Sequence, residues 1–150
     1  MRRGSGTRVI GLLSGTSIDG VDVAAATFRQ RGDELTMTLL GHREFPYDDS
    51  LNADLRAALP PATCDAETLT RLDTRVGRTF AEAAATAVDD LAGGHADLVA
   101  SLGQTVFHRV EHGRAEGTLQ IGRPAWIAER TGLPVVADLR ARDVAAGGHG

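Results

Sequence analysis

Residues 11–28 read "GLLSGTSIDGVDVAAATF": an apolar run, a patch of small and polar residues, and a second apolar run. Two apolar runs separated by a short glycine-containing connection predict antiparallel neighbouring strands, here over residues 8–13 and 21–28, with a tight hairpin between them. The tip holds the hydroxyls of Ser14, Thr16 and Ser17, the glycines Gly15 and Gly20, and the carboxylate of Asp19. Glycines permit positive φ and close backbone approach, and consecutive loop N–H groups form a concavity suited to an anion such as phosphate. A carboxylate at Asp19 repels phosphate unless a hydrated Mg²⁺ lies between them. A plain β-turn uses the same residue types, so composition leaves both readings open. Asp22, one residue into the strand, is a weaker candidate that could equally pair with an arginine.

Outward from this hairpin the chain alternates strands and helices. Residues 35–45 predict a third strand, bulged near Gly41, completing a meander. Residues 48–59 predict a short helix with Asp49 or Ser50 as cap and a stop at Pro60 and Pro61. From Asp65 to about Leu91, Leu69, Leu72, Val76, Phe80, Ala84, Val88 and Leu91 recur at spacings of three and four, one apolar stripe on a long helix. Gly93 and Gly94 break it, and a short buried strand follows at 97–101. A turn-rich patch at 108–117 precedes "TLQIG"; residues 123–131 predict a helix and 133–140 a strand ending in charge. The order β-β-β-α-α-β-α-β implies an α/β fold, a mixed β-sheet with flanking helices.

Composition narrows the function. The chain has 150 residues, 42% hydrophobic and 24% charged, with net charge −4, enough for one sizeable core and a poor match to nucleic acid. All 16 basic residues are arginines. Without lysine there is no Walker-type P-loop, no kinase strand lysine and no Schiff-base chemistry. The single Cys64 excludes an internal disulfide and fits a reducing, cytoplasmic compartment. The N-terminal segment starts basic, but its apolar run is broken at Ser14 and Gly15, so neither an export signal nor a membrane helix is expected. His108 and His112 are four apart, but Gly113 and its surroundings do not support a helix, so no zinc site is predicted.

In such sheets functional groups collect at strand ends and loops. Four clusters qualify: the tip from Ser14 to Gly20; Gly103, Gln104 and Thr105 with His108; Asp138, Arg140, Arg142 and Asp143; and Gly147 to Gly150.

Here the residues carry a resemblance. "GLLSGTSIDGVDVA" resembles the N-terminal signature of the anhydro-N-acetylmuramic acid kinases, members of the hexokinase and actin-like ATPase superfamily. "SLGQTVFH", "TLQIGRPAWIAERTG" and "VVADLRARDVAAGGHG" follow in that family's order and at about its spacing. The resemblance implies an N-terminal lobe of the actin-like ATPase (ribonuclease H-like) fold. It implies a cytoplasmic enzyme of cell-wall recycling that opens 1,6-anhydro-N-acetylmuramic acid with water and phosphorylates O6 from ATP with Mg²⁺. The implied partners are ATP and a small amino sugar, with a homodimer of the full-length form left open.

Carried over residue by residue, Ser14, Gly15, Thr16, Ser17, Ile18, Asp19, Gly20 and Val21 match the family's ATP-binding segment, with Asp19 on the Mg²⁺ side. Gln104, Thr105 and His108 match a segment beside the sugar. Arg142 and Asp143 match an Arg-Asp pair there, the guanidinium suited to clamping a lactyl carboxylate through two parallel hydrogen bonds. Asp138 and Arg140 are expected to support them, Asp138 as a cap of the next turn. The chain departs from the family at Leu102, where histidine is usual, and at His149, where glutamine is usual. It stops at Gly150 inside a motif that continues "APL" in the family. Residues 1–150 therefore read as an N-terminal lobe, or part of one, with the C-terminal lobe and the catalytic base beyond them. No catalytic residue is assigned in this chain, no turnover is expected from it alone, and apolar surface is expected to be exposed where the remainder would pack. The alternatives are a non-catalytic sugar- or nucleotide-binding module and a related sugar kinase with another substrate.

Overall fold

The computed structural model describes residues 6–150; the basic start of the N-terminal segment, at residues 1–5, lies outside them. Strand β1 (Thr7–Ser14) pairs antiparallel with β2 (Gly20–Arg31), setting Ile10 opposite Ala25 and Leu12 opposite Val23. Strand β3 (Glu34–Pro46) completes the expected meander. Its bulge falls at Leu40, between the pairs Ala25–Gly41 and Ala26–Leu39. Gly41 beside it faces Leu91, whose Cδ2 would lie 3.1 Å from an added Cβ.

Helix α1 (Asp49–Ala58) is capped by Asp48, not by Asp49 or Ser50: the Asp48 carboxylate accepts from Leu51 N at 2.7 Å. Helix α2 (Ala66–Asp90) follows the expected stripe. Leu72, Val76, Phe80 and Ala84 are buried against Ile10, Leu12, Val21, Val23, Leu51, Leu55 and Ile127 in one core. Gly77 on α2 lets helix α3 (Pro124–Thr131) approach: a Cβ there would stand 2.6 Å from Trp126 Cδ1.

The second half of the chain departs from its reading. Strand β4 (Leu98–Glu111) continues through the patch read as turn-rich and folds back as β5 (Arg114–Ile121). The reversal uses His112 (φ 50°) and Gly113 (φ 76°), two left-handed residues as a two-residue hairpin of this twist requires. The strand expected at 133–140 shrinks to β6 (Val135–Val136), and α4 (Leu139–Ala145) takes its place. The cause is competition for one edge of β4. Val99 and Ala100 pair with β6, but from Gln104 onward that edge belongs to β5, so the chain beyond Val136 has no strand to join.

The sheet order is β3-β2-β1-β4-β5, with β6 beside β4; β1, β4 and β6 run parallel. Helices α1 to α3 share one core with the sheet, while Leu35, Met37 and Leu39 on β3 are 63%, 62% and 56% exposed.

Candidate functional site

Parallel strands β1 and β6 end against the middle and the start of β4, Ser14 facing Gln104 and Val136 facing Ala100, and the β1–β2 hairpin tip stands beside Gln104. Contrary to expectation, its shape does not come from positive φ at Gly15 or Gly20. The left-handed residue is Ile18 (φ 58°), a β-branched side chain in a region it rarely enters. Ile18 is held there by burial of its side chain in the core and by two carbonyl contacts from α1. Asn52 Nδ2 donates to Ile18 O, and Arg56 donates to Ser17 O at 2.7 Å. Gly20 is required by close approach, since a Cβ would run into Phe45 O. Val21 is fully buried, so Ile18 and Val21 offer only backbone to a ligand. The carboxylate of Asp19 accepts from Ser17 Oγ at 2.7 Å; this bond, with the backbone N–H groups of Asp19 and Gly20, holds its carboxyl below the usual range.

The base of the tip is tied to β4 by Gln104, a polar side chain with no exposed surface. Its Nε2 donates to Gly15 O and Thr105 O, both at 3.2 Å. Two carbonyls facing one end of the amide fix its orientation, because a flipped amide would set oxygen against oxygen. Oε1 accepts from Tyr47 Oη at 3.4 Å and lies 2.7 Å from Ser14 Oγ, whose single proton serves either it or Gly20 O at 2.6 Å. Burial pushes the Tyr47 phenol up to about 12. Gln104 comes into register through a bulge: Leu12 faces Ser101 but Ser14 faces Gln104, and Gly103 (φ 65°) absorbs the extra residue.

Beside the tip lies a cleft of about 490 Å³ that brings Ser14, Gly15 and Thr16 opposite Thr105, Arg140 and Asp143. Arg140 donates to Thr105 Oγ1 at 2.6 Å, and Asp143 Oδ2 accepts from Gly150 N at 2.8 Å. Leu102, where the resemblance led to the expectation of histidine, forms an apolar part of the wall. Other expected residues sit elsewhere. Arg142 is exposed on α4, outside the cleft lining. Asp19 faces a neighbouring hollow with Asp22 and Glu44. His108 is half-buried on β4, with Cε1 3.6 Å from where a Cβ on Gly150 would stand. Asp138 occupies the cap position of α4 with φ 58° but makes no side-chain capping bond, contrary to expectation.

Tyr47, Asn52 and Arg56 were not anticipated at the site. The spacing of four between Asn52 and Arg56 places both on one helix face, but nothing local to them points at the tip. Among the described residues no group of three or more His, Cys, Asp or Glu side chains is placed to hold a metal ion. No helix among them is long and apolar enough to cross a membrane.

A mixed sheet in this order, with helices packed on it and a polar hairpin at the end of its first strand, defines an N-terminal lobe of the actin-like ATPase class. The chain belongs to the anhydro-N-acetylmuramic acid kinase family, whose sequence model matches residues 7–150. Over 143 residues it is 58% identical to the anhydro-N-acetylmuramic acid kinase of Streptomyces avermitilis and 57% identical to that of Streptomyces coelicolor. It is 54% identical to that of Rhodococcus erythropolis. Each match covers 95% of this chain but only 37%, 37% and 36% of the respective relative, so the chain spans little more than a third of their length.

Proposed function

We propose that this chain supplies the phosphate- and sugar-contacting lobe of a cytoplasmic ATP-dependent kinase acting on 1,6-anhydro-N-acetylmuramic acid. Water adds at C1 as the C1–O6 bridge breaks, and the freed O6 takes the γ-phosphoryl group of ATP, giving N-acetylmuramic acid 6-phosphate and ADP. The observation that carries this reading is the cleft in which the anchored tip faces Thr105, Arg140 and Asp143. Phosphoryl transfer depends on holding donor and acceptor in line, and a tip fixed by buried hydrogen bonds does so without reorganising.

In this reading the backbone and hydroxyls from Ser14 to Ser17 hold ATP phosphates, with Ile18, Gly20 and Val21 fixing the loop. Asp19, whose carboxyl its hydrogen bonds hold below the usual range, is the residue that would hold Mg²⁺, through water, and the ion would supply neutralisation of phosphate charge. Thr105 and Asp143 contact the sugar. Gln104 acts through the loop it pins, His108 supports the strand end behind Gly150, and Arg142 stands beyond the cleft while Arg140 lies within it.

The test joins this chain in frame to the remaining length of the Streptomyces coelicolor relative. The chimera should convert the anhydro sugar to its 6-phosphate with ATP. Asp19→Ala should lower turnover by orders of magnitude and leave sugar binding nearly intact; equal loss of both would overturn the phosphate-side role.

A further inference from the structure

Strand β3 is the first in the sheet order: β2 pairs with one side of it, and among the described residues no strand pairs with the other. Exposed apolar edges are normally blunted by charge, proline or a bulge, because their free N–H and C=O groups invite further pairing. From Leu35 to Gly41 β3 reads "LTMTLLG", with no charged residue and no proline, and its bulge comes only at Leu40. Leu35, Met37, Leu39 and Leu40 are all exposed. The opposite edge is built differently: β5 is shorter, carries Arg114 and Glu116, and has α4 packed against it.

The β2–β3 turn fixes which backbone groups are free. Gly32 (φ 60°) and Asp33 form a two-residue hairpin between Arg31 and Glu34, and such a turn closes on a hydrogen-bonded pair. Pairs along an antiparallel ladder then alternate between hydrogen-bonded and open. Thr36 and Thr38 therefore direct their backbone groups to Arg29 and Thr27, while Leu35, Met37 and Leu39 turn theirs to the free edge. The side chains of these three lie on the opposite face from Val21, Val23 and Ala25, away from the helices.

The segment with free backbone groups is its own reverse: Leu35-Thr36-Met37-Thr38-Leu39. A second copy approaching antiparallel about a two-fold axis at Met37 sets Met37 against Met37, Leu35 against Leu39 and Thr36 against Thr38. Each outward-facing residue then exchanges both backbone hydrogen bonds with its counterpart, and the apolar and Thr–Thr cross-strand pairs add to them. The absence of charge suits this symmetry, since a charged residue at the axis would face itself. The four exposed apolar side chains offer on the order of 400 Å² per copy, a patch larger than scattered surface residues make. With backbone and threonines, two copies bury about 1,200 Å², the low end of specific interfaces. We propose that the β3 edge is an interaction surface for a second copy of this chain, the two sheets joining into one across Met37.

Sedimentation equilibrium of the chain should show a monomer–dimer equilibrium with a Kd of about 10–100 μM, as suits a contact of this small area. Met37→Lys places two ammonium groups at the axis and should weaken association about tenfold or more. Leu119→Lys, at another exposed apolar position on β5, should not. Both are surface substitutions, so thermal midpoints should stay close to the parent's. Register is read by disulfide cross-linking in a Cys64→Ser background, with copper phenanthroline as oxidant. Met37→Cys should form a covalent dimer by itself. Leu35→Cys and Leu39→Cys should cross-link poorly alone, like residues being displaced four positions, roughly 13 Å, and efficiently when mixed. A parent that is monomeric at about 1 mM, association undiminished in Met37→Lys, or cross-linking without that register overturns the proposal. The same cysteine variants in the chimera with the Streptomyces coelicolor relative should repeat the pattern. Its loss there means that the added length covers β3, which overturns the edge as an interface between copies and leaves the kinase reading standing.

Discussion

Ser14 Oγ at the end of β1 and Gln104 Oε1 on β4 stand 2.7 Å apart across 90 residues of sequence, both side chains buried. A fully buried glutamine is uncommon. Here its amide ties the loop's Gly15 to the neighbouring parallel strand, and so couples the hairpin tip to the centre of the sheet.

Gln104→Leu keeps much of the volume and removes those bonds. Gly15 O, Thr105 O and Tyr47 Oη lose a partner, and each buried polar group left unpaired costs about 1–3 kcal/mol, partly offset by leucine's apolar burial. The expected net loss is about 2–4 kcal/mol in urea unfolding, with faster hydrogen exchange between Gly15 and Gly20. An unchanged midpoint with unchanged exchange would show that the tip is held by α1 alone.

Tyr47 predicts an alkaline limit to stability. Its folded-state pKa is about 12 because burial disfavours the phenolate. In the unfolded chain it returns to about 10. A raised pKa means that the stabilisation is complete below about pH 10 and is lost as pH rises through 12, a change on the order of 2 kcal/mol. The chain has one tyrosine and no lysine, so tyrosinate absorbance reads this group alone. Tyr47→Phe should flatten the stability profile between pH 10 and 12; a profile as steep as the parent's would assign the limit to another group.

The elements legible in sequence were those whose burial follows a period. The β1–β2 hairpin declares itself by two apolar runs around a short tip, and α2 by its stripe from Leu69 to Leu91. The β4–β5 hairpin does not, because His112 is not an obvious turn residue and charged residues flank it. Helix α4 is hidden for another reason: residues 133–140 read as a strand until β5 claims the edge it would need. At the site, the tip's position was readable but its support was not. Tyr47, Asn52 and Arg56 reach it through contacts 34 to 57 residues long in sequence, which no local pattern encodes.

Gly103→Ala probes the bulge that brings Gln104 into place. The residue has φ 65°, and a Cβ there would lie 2.7 Å from Ile121 O, a backbone atom that cannot turn aside. Left-handed strain adds to that clash, so a loss of about 2–4 kcal/mol is expected. Gly113→Ala is the control. It has the same sign of φ with nothing within 4 Å of its added Cβ, so it should cost only the backbone strain, about 1–2 kcal/mol. Equal costs at the two positions would remove the argument that Gly103 is fixed by packing.

The last prediction separates two arginines on one short helix. The family resemblance puts Arg142 at the substrate, whereas the fold places Arg140 in the cleft, donating to Thr105 at 2.6 Å, and leaves Arg142 exposed outside it. Lysine keeps the charge but loses the planar fork, so Arg→Lys reports on directed hydrogen bonds rather than on charge alone. In the chimeric kinase, Arg140→Lys should weaken the anhydro sugar about tenfold or more, as expected when a directed, charge-assisted bond is lost. Arg142→Lys should change it less than about twofold, since an exposed arginine without such bonds loses little. The reverse order would mean that α4 turns to bring Arg142 inward when the sugar binds. A paired measurement with the sugar lacking its lactyl acid then identifies which contact is with a carboxylate: a loss confined to the acid-bearing sugar marks a clamp, and an equal loss with both marks positioning of Thr105.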